Sequence, residues 1–137
     1  MTNTEKALES FGEGCNCAQA VFVPFAEQLG VDAETAGRIS SGFGGGMHMG
    51  GACGVVTGAF MALGLKFGVD KKAAYAKTSE FIERFRKRNP AITCLDLLGA
   101  DVQTAEGKEK IKSEGLRKCV CEKLVADACE ILEEMGL

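Results

Sequence analysis

The sequence predicts an all-α fold, a single-domain bundle of about six to eight helices, and three observations carry that reading. Apolar residues recur at helical spacing along nearly the whole chain, no stretch alternates as a half-buried strand would, and helix caps and stops punctuate the segments. The 137 residues suffice for one core, and no linker or internal repeat divides them.

Residues 4–11 predict a short opening helix. Ala18, Val21, Phe22, Phe25, Ala26 and Leu29 form the next apolar stripe, with Asn16 as N-cap and Gly30 as stop. Pro24 falls inside that segment and predicts a kink or break. Asp32 opens a further short helix that ends in the glycine run Gly42 to Gly51. From Cys53 to Phe67 helical spacing returns, with Gly54, Gly58 and Ala62 four residues apart. A stripe of small residues admits a close backbone neighbour, so this helix is expected at the buried centre. That neighbour could lie within the chain or on a second copy, a homodimer.

Asp70 caps a helix whose core face is Ala74, Thr78, Phe81, Ile82 and Phe85, and Asn89-Pro90 ends it. Thr93 and Asp96 resemble a capping box for a short helix Cys94 to Leu98. Thr104 caps a polar helix running to Gly115, and Leu124, Val125, Ala128, Ile131, Leu132 and Met135 are the core stripe of the last one.

Composition narrows the function. With 26% charged residues and a net charge of −3, the chain lacks the basic excess of a nucleic-acid binder. Its most apolar stretch, Val55 to Leu65, is broken by Thr57, Gly58 and Gly64 and stops at Lys66, so no membrane span is expected. Glu5, Lys6 and Glu9 near the N-terminus do not read as a signal peptide, and a cytoplasmic protein is the expectation. Seven cysteines in a reducing compartment point to metal or redox chemistry more than to structural disulfides.

Four of them, Cys17, Cys53, Cys94 and Cys121, fall in the first turn of a predicted helix. Unpaired N–H groups and the helix dipole there favour thiolate, the form that a soft metal or an iron–sulfur cluster requires. The four are therefore expected to converge on one site as metal ligands. The plain alternative is that each is a small buried hydrophobe. Cys15, Cys119 and Cys129 read as incidental, with Cys129 packed beside the terminal core stripe. No C-x-x-C occurs, which disfavours thioredoxin-like chemistry and ribbon-type zinc sites.

The loop S-S-G-F-G-G-G-M-H-M-G-G runs directly into Cys53. Without a G-K-[ST] ending or a preceding strand it is a weak nucleotide signal. Gly44, Gly45 and Gly46, with Gly54, instead suit close backbone approach to an inorganic group and N–H donation to sulfur. His48, the only histidine, is expected at the surface or behind the ligands rather than as a ligand. One histidine without a serine or carboxylate partner gives little support to a hydrolase triad.

The cysteine pattern resembles a family of redox-active proteins named for the motif C-GCAxxG-C-C. The stretches that carry the likeness are G-C-N-C-A-Q-A-V at 14–21, G-F-G-G-G-M at 42–47, C-G-V-V-T-G-A at 53–59, C-L-D-L-L-G at 94–99 and C-E-K-L-V-A-D-A at 121–128. Residue by residue, the family's four cysteines fall on Cys17, Cys53, Cys94 and Cys121. The chain departs from the pattern at Val55, where alanine is usual, and at Cys15, where an aromatic is common.

The resemblance implies a small helical redox protein with a partner protein for its electrons. A similar four-cysteine helical domain in split-Soret-type cytochromes is associated with iron–sulfur binding. No C-x-x-C-H occurs, so haem is not expected. An iron–sulfur cluster leads, with a metal-free thiol–disulfide protein and a structural zinc-binding module with four cysteine ligands as alternatives.

Overall fold

Polar caps fix where six of the eight α-helices begin. The computed structural model describes residues 1–137. In chain order the helices are α1 (Asn3–Gly12), α2 (Cys17–Gln28), α3 (Ala33–Ile39), α4 (Gly54–Phe67), α5 (Lys71–Arg88), α6 (Cys94–Leu98), α7 (Ala105–Ser113) and α8 (Glu122–Glu134). Thr2, Asn16, Asp32, Asp70, Thr93 and Thr104 each accept a backbone N–H through the side chain, so six helices carry a polar N-cap. No strand forms; the one β feature is an isolated bridge between Ala52 and Thr93. No helix is long and apolar enough to cross a membrane.

α2 and α4 cross at the centre, and α1, α3, α5 and α8 pack around them. The crossing is close because Gly58 has no side chain: a Cβ there would stand 2.7 Å from the Ala18 carbonyl oxygen. The small-residue stripe of α4 therefore meets a neighbour within this chain. Val21, Phe25, Val55, Val56, Leu63, Phe81, Phe85, Val125, Ile131 and Leu132 fill the core. Phe81 meets Phe60 edge-on and stacks on Phe85, with ring centres 6.0 and 5.8 Å apart.

All six apolar residues expected on the terminal stripe are buried, whereas on α5 only Phe81 and Phe85 are. Ala74, Thr78 and Ile82 are half-buried because α5 lies on the outside of the bundle, packed chiefly against α4 and α8. The break expected at Pro24 does not occur. α2 runs through it to Gln28, with Pro24 buried.

Candidate functional site: the cysteine cavity

Cys17 is the first residue of α2, and a reciprocal capping box holds it there. The Asn16 carboxamide oxygen accepts the Gln19 N–H at 2.8 Å, and the Gln19 side-chain oxygen accepts the Asn16 N–H at 3.0 Å. Asn16 also donates to the Ser41 carbonyl at 3.0 Å, which ties the start of α2 to the glycine loop. Gly44 lies so close that a Cβ would stand 2.5 Å from that of Asn16.

From Gly45 to His48 the loop makes one left-handed turn, with φ of 64, 62, 60 and 59°. Two of those residues, Met47 and His48, carry side chains, a conformation that costs roughly 1–2 kcal/mol per residue. The surrounding packing enforces it. Gly51 donates to the Gly46 carbonyl at 2.9 Å, and a Cβ on Gly46 would stand 2.5 Å from the Gly51 backbone and 2.9 Å from Cys94 Cβ. His48 itself is exposed.

The bridge between Ala52 and Thr93 sets two further cysteines side by side. Cys53 donates its N–H to Ile92 at 2.8 Å, and Cys94 donates to Gly51 at 2.7 Å. Cys53 is thereby the N-cap of α4 and Cys94 the first residue of α6; both are buried. Gly54 completes the fit, since a Cβ there would run into Cys17 Sγ.

Cys121 differs from expectation. Residues Arg117–Cys121 form a π-turn that leads straight into α8, so Cys121 lies inside a continuous helix rather than in a first turn. It still reaches the site. Cys17, Cys94 and Cys121 line one cavity of about 160 Å³ together with Gly45, Phe11 and Arg117. Cys53 does not line this cavity, but it is the neighbour that most strongly influences the Cys17 thiol.

Thiolate character is not shared among the four. The hydrogen bond from Cys53 is the largest influence on Cys17; burial opposes it, and the N–H groups of Gly45, Cys17 and Ala18 add to it. The balance lowers the Cys17 pKa to about 6. Cys53 is pushed up, because its proton serves Cys17 and because it is buried beside that charge. Burial, then the charge on Cys17, raises Cys94 to about 11. Cys121 rises to about 12 for the same reasons, with Cys94 adding to the rise and Arg117 opposing it. Helix starts were expected to favour thiolate at all four positions. At Cys94 desolvation outweighs the dipole, and Cys121 has no helix start.

Alkylation should therefore select Cys17. Its rate with iodoacetamide is expected to rise through about pH 6 and level off above, because the thiolate is the nucleophile. Peptide mapping at each pH checks this, and an inflection near the ordinary thiol value of about 8.5 would refute it.

Arg117 escaped the sequence reading. Its guanidinium lies over the Phe11 ring, 3.8 Å from the centroid, and donates to the Phe11 and Cys15 carbonyls at 2.8 and 2.7 Å. The available signal was its position four residues before Cys121, on the same helical face. The other three cysteines stay outside the cavity. Cys15 lines a separate groove with Lys6, Glu9 and Gln19, Cys119 is exposed, and Cys129 is fully buried in the core, which raises its pKa to about 12.

All seven cysteines are free thiols. No three of the His, Cys, Asp and Glu side chains gather closely enough to hold a single metal ion. What the site offers is a small, partly open cavity, soft sulfur donors on its walls, one thiol whose surroundings favour thiolate and a guanidinium at its edge.

No curated protein and no solved structure gives a significant match to the chain. A family model does, over residues 15–135, under the description "Putative redox-active protein (C_GCAxxG_C_C)". That match spans Cys17, Cys53, Cys94 and Cys121 and nearly the whole chain, and the protein belongs to this redox-active family.

Proposed function

We propose that Cys17, Cys53, Cys94 and Cys121 ligate one iron–sulfur cluster and that the protein transfers or senses electrons through it. The observation that carries this reading is the cavity of about 160 Å³ walled by Cys17, Cys94 and Cys121, with Cys53 against Cys17. An all-sulfur donor set suits iron–sulfur chemistry, and a cubane needs a cage on the order of 6 Å across rather than the tighter gathering around one zinc ion. When bound, a cluster would accept and release single electrons.

The chain's own residues do the rest. Gly54 keeps a side chain out of the space beside Cys17, and the backbone of Gly45 favours negative charge on the Cys17 sulfur. Such surroundings at a ligating sulfur stabilise the reduced, more negative state. Arg117 places a positive charge on the same wall.

A second reading has its own support in the Cys17–Cys53 contact. The Cys17 thiolate would attack a substrate disulfide, forming a mixed disulfide and expelling the first substrate thiolate, which takes up a proton. That step removes the negative charge beside Cys53, so its proton is released more easily. The Cys53 thiolate then attacks Cys17 Sγ and frees the second substrate thiol. The substrate gains two electrons, and the protein ends with a Cys17–Cys53 disulfide.

Anaerobic purification tests the two together. The cluster reading expects a brown protein with iron, sulfide and visible charge-transfer absorption, abolished in Cys94→Ser and kept in Cys129→Ser. Colourless, iron-free protein after anaerobic reconstitution overturns it. If that protein closes a Cys17–Cys53 disulfide on mild oxidation, the dithiol reading stands, and recovery of one zinc per chain would establish the structural zinc module instead.

A further inference from the structure

The cysteine cavity is bordered by a strongly basic face whose cations have no carboxylate partners. A groove of about 450 Å³ is lined by Lys108, Ile111, Lys112, Arg117 and Lys118, with Glu122 as its single carboxylate. A second depression, about 500 Å³, carries His48, Gly45, Val102, Lys108 and Ile111. Ile111 lines both of these and the cysteine cavity, so the three adjoin one another.

Outside this face five cations are paired, while Lys6, Arg38, Lys66, Lys71, Lys72 and Arg86 are not. Lys77, Arg84, Lys87, Arg88 and Lys123 all form ion pairs with Asp or Glu. Lys108, Lys112, Arg117 and Lys118 form none. What sets the patch apart is clustering: four unpaired cations share one groove with a single carboxylate, in a chain whose net charge is −3. Its position follows from helical spacing: Lys108, Ile111 and Lys112 share one face of α7, and Arg117 and Lys118 open the π-turn that follows.

We propose that this face docks the acidic surface of a partner protein over the mouth of the cysteine cavity. Complementary charge of this kind steers encounter and fixes orientation more than it adds affinity. The arrangement fits an extended partner better than a small anion. Lys108, Lys112 and Lys118 are exposed and distributed over two elements instead of converging on a point. Arg117, which does face the cavity, is already engaged by two carbonyls and the Phe11 ring. That the partner exchanges electrons rests on the redox reading above; the docking itself does not.

A titration of the reduced full-length protein with a deca-glutamate peptide, followed by amide NMR shifts, tests the proposal. Shifts are expected at residues 105–118 and 44–48, with affinity falling about tenfold or more between roughly 0.05 and 0.5 M salt. The triple variant K108E/K112E/K118E should lose binding while Cys17 keeps its alkylation profile, which establishes that the fold and the cavity persist. Shifts confined to Arg86–Arg88, no shifts, equal binding of inorganic phosphate, or tighter binding of single-stranded RNA would each overturn it. A colourless, metal-free protein would refute the cluster and leave this test unaffected.

Discussion

Gly58→Ala is expected to destabilise the protein by about 2 kcal/mol, and Gly64→Ala in the same helix to stabilise it by up to about 1 kcal/mol. Helix propensity alone favours alanine at both positions equally. The difference lies in what the added methyl meets. At Gly64 there is no atom within 4 Å. At Gly58 a Cβ stands 2.7 Å from the Ala18 carbonyl oxygen and 3.1 Å from Ala18 Cα, both main-chain atoms of α2 that cannot rotate away. α2 and α4 must separate, and the contact they lose is the centre of the core. Urea unfolding of the two variants gives the sign directly, and equal effects would show that the crossing is not tight.

Gly54 extends the same argument into the site. A Cβ there meets Cys17 Sγ, with the Ala18 nitrogen at 3.0 Å and the Phe43 oxygen at 3.2 Å. Tolerance of bulk at this position would contradict the placement of Cys17.

Asp127→Ala is expected to cost about 2 kcal/mol through lost charge-assisted hydrogen bonds. The carboxylate is buried at the join of α5 and α8, where it accepts from Lys123 at 2.6 Å, Asn89 at 3.2 Å and Arg88 at 3.4 Å. Its partners are not abandoned, which keeps the cost below that of a broken isolated buried pair. Arg88 retains Glu134 at 2.7 Å, and Lys123 retains the Asn89 side-chain oxygen at 3.1 Å. Thermal unfolding should show a lowered midpoint, whereas the exposed pair Lys87–Glu83 should be removable with little change. A midpoint unmoved by Asp127→Ala would refute this account of how α5 is fastened.

The reading of the helices from sequence succeeded where one residue decides an outcome locally. Asn16, Asp32, Asp70, Thr93 and Thr104 cap helices because their side-chain oxygens reach a backbone N–H three residues on, a contact that needs no tertiary partner. It failed at Cys121. The chain enters α8 through a π-turn, and nothing in R-K-C-V-C distinguishes that entry from a fresh start. Arg117 was missed for a related reason: its importance comes from Phe11 and Cys15, more than a hundred residues away in sequence.

The sequence by itself determined the helical class, the caps, the family and the four cysteines that the family pattern selects. Those properties depend on spacing and residue type. Only the tertiary structure decided how these cysteines differ. A thiol's charge depends on which donors face it and how much water it loses, and both are set by neighbours from other helices. Cys17 alone gathers the Cys53 thiol and the Gly45 and Ala18 N–H groups, so it alone is held as thiolate. Cys94 and Cys121 meet the same cavity from walls that supply burial without such donors, and they keep their protons.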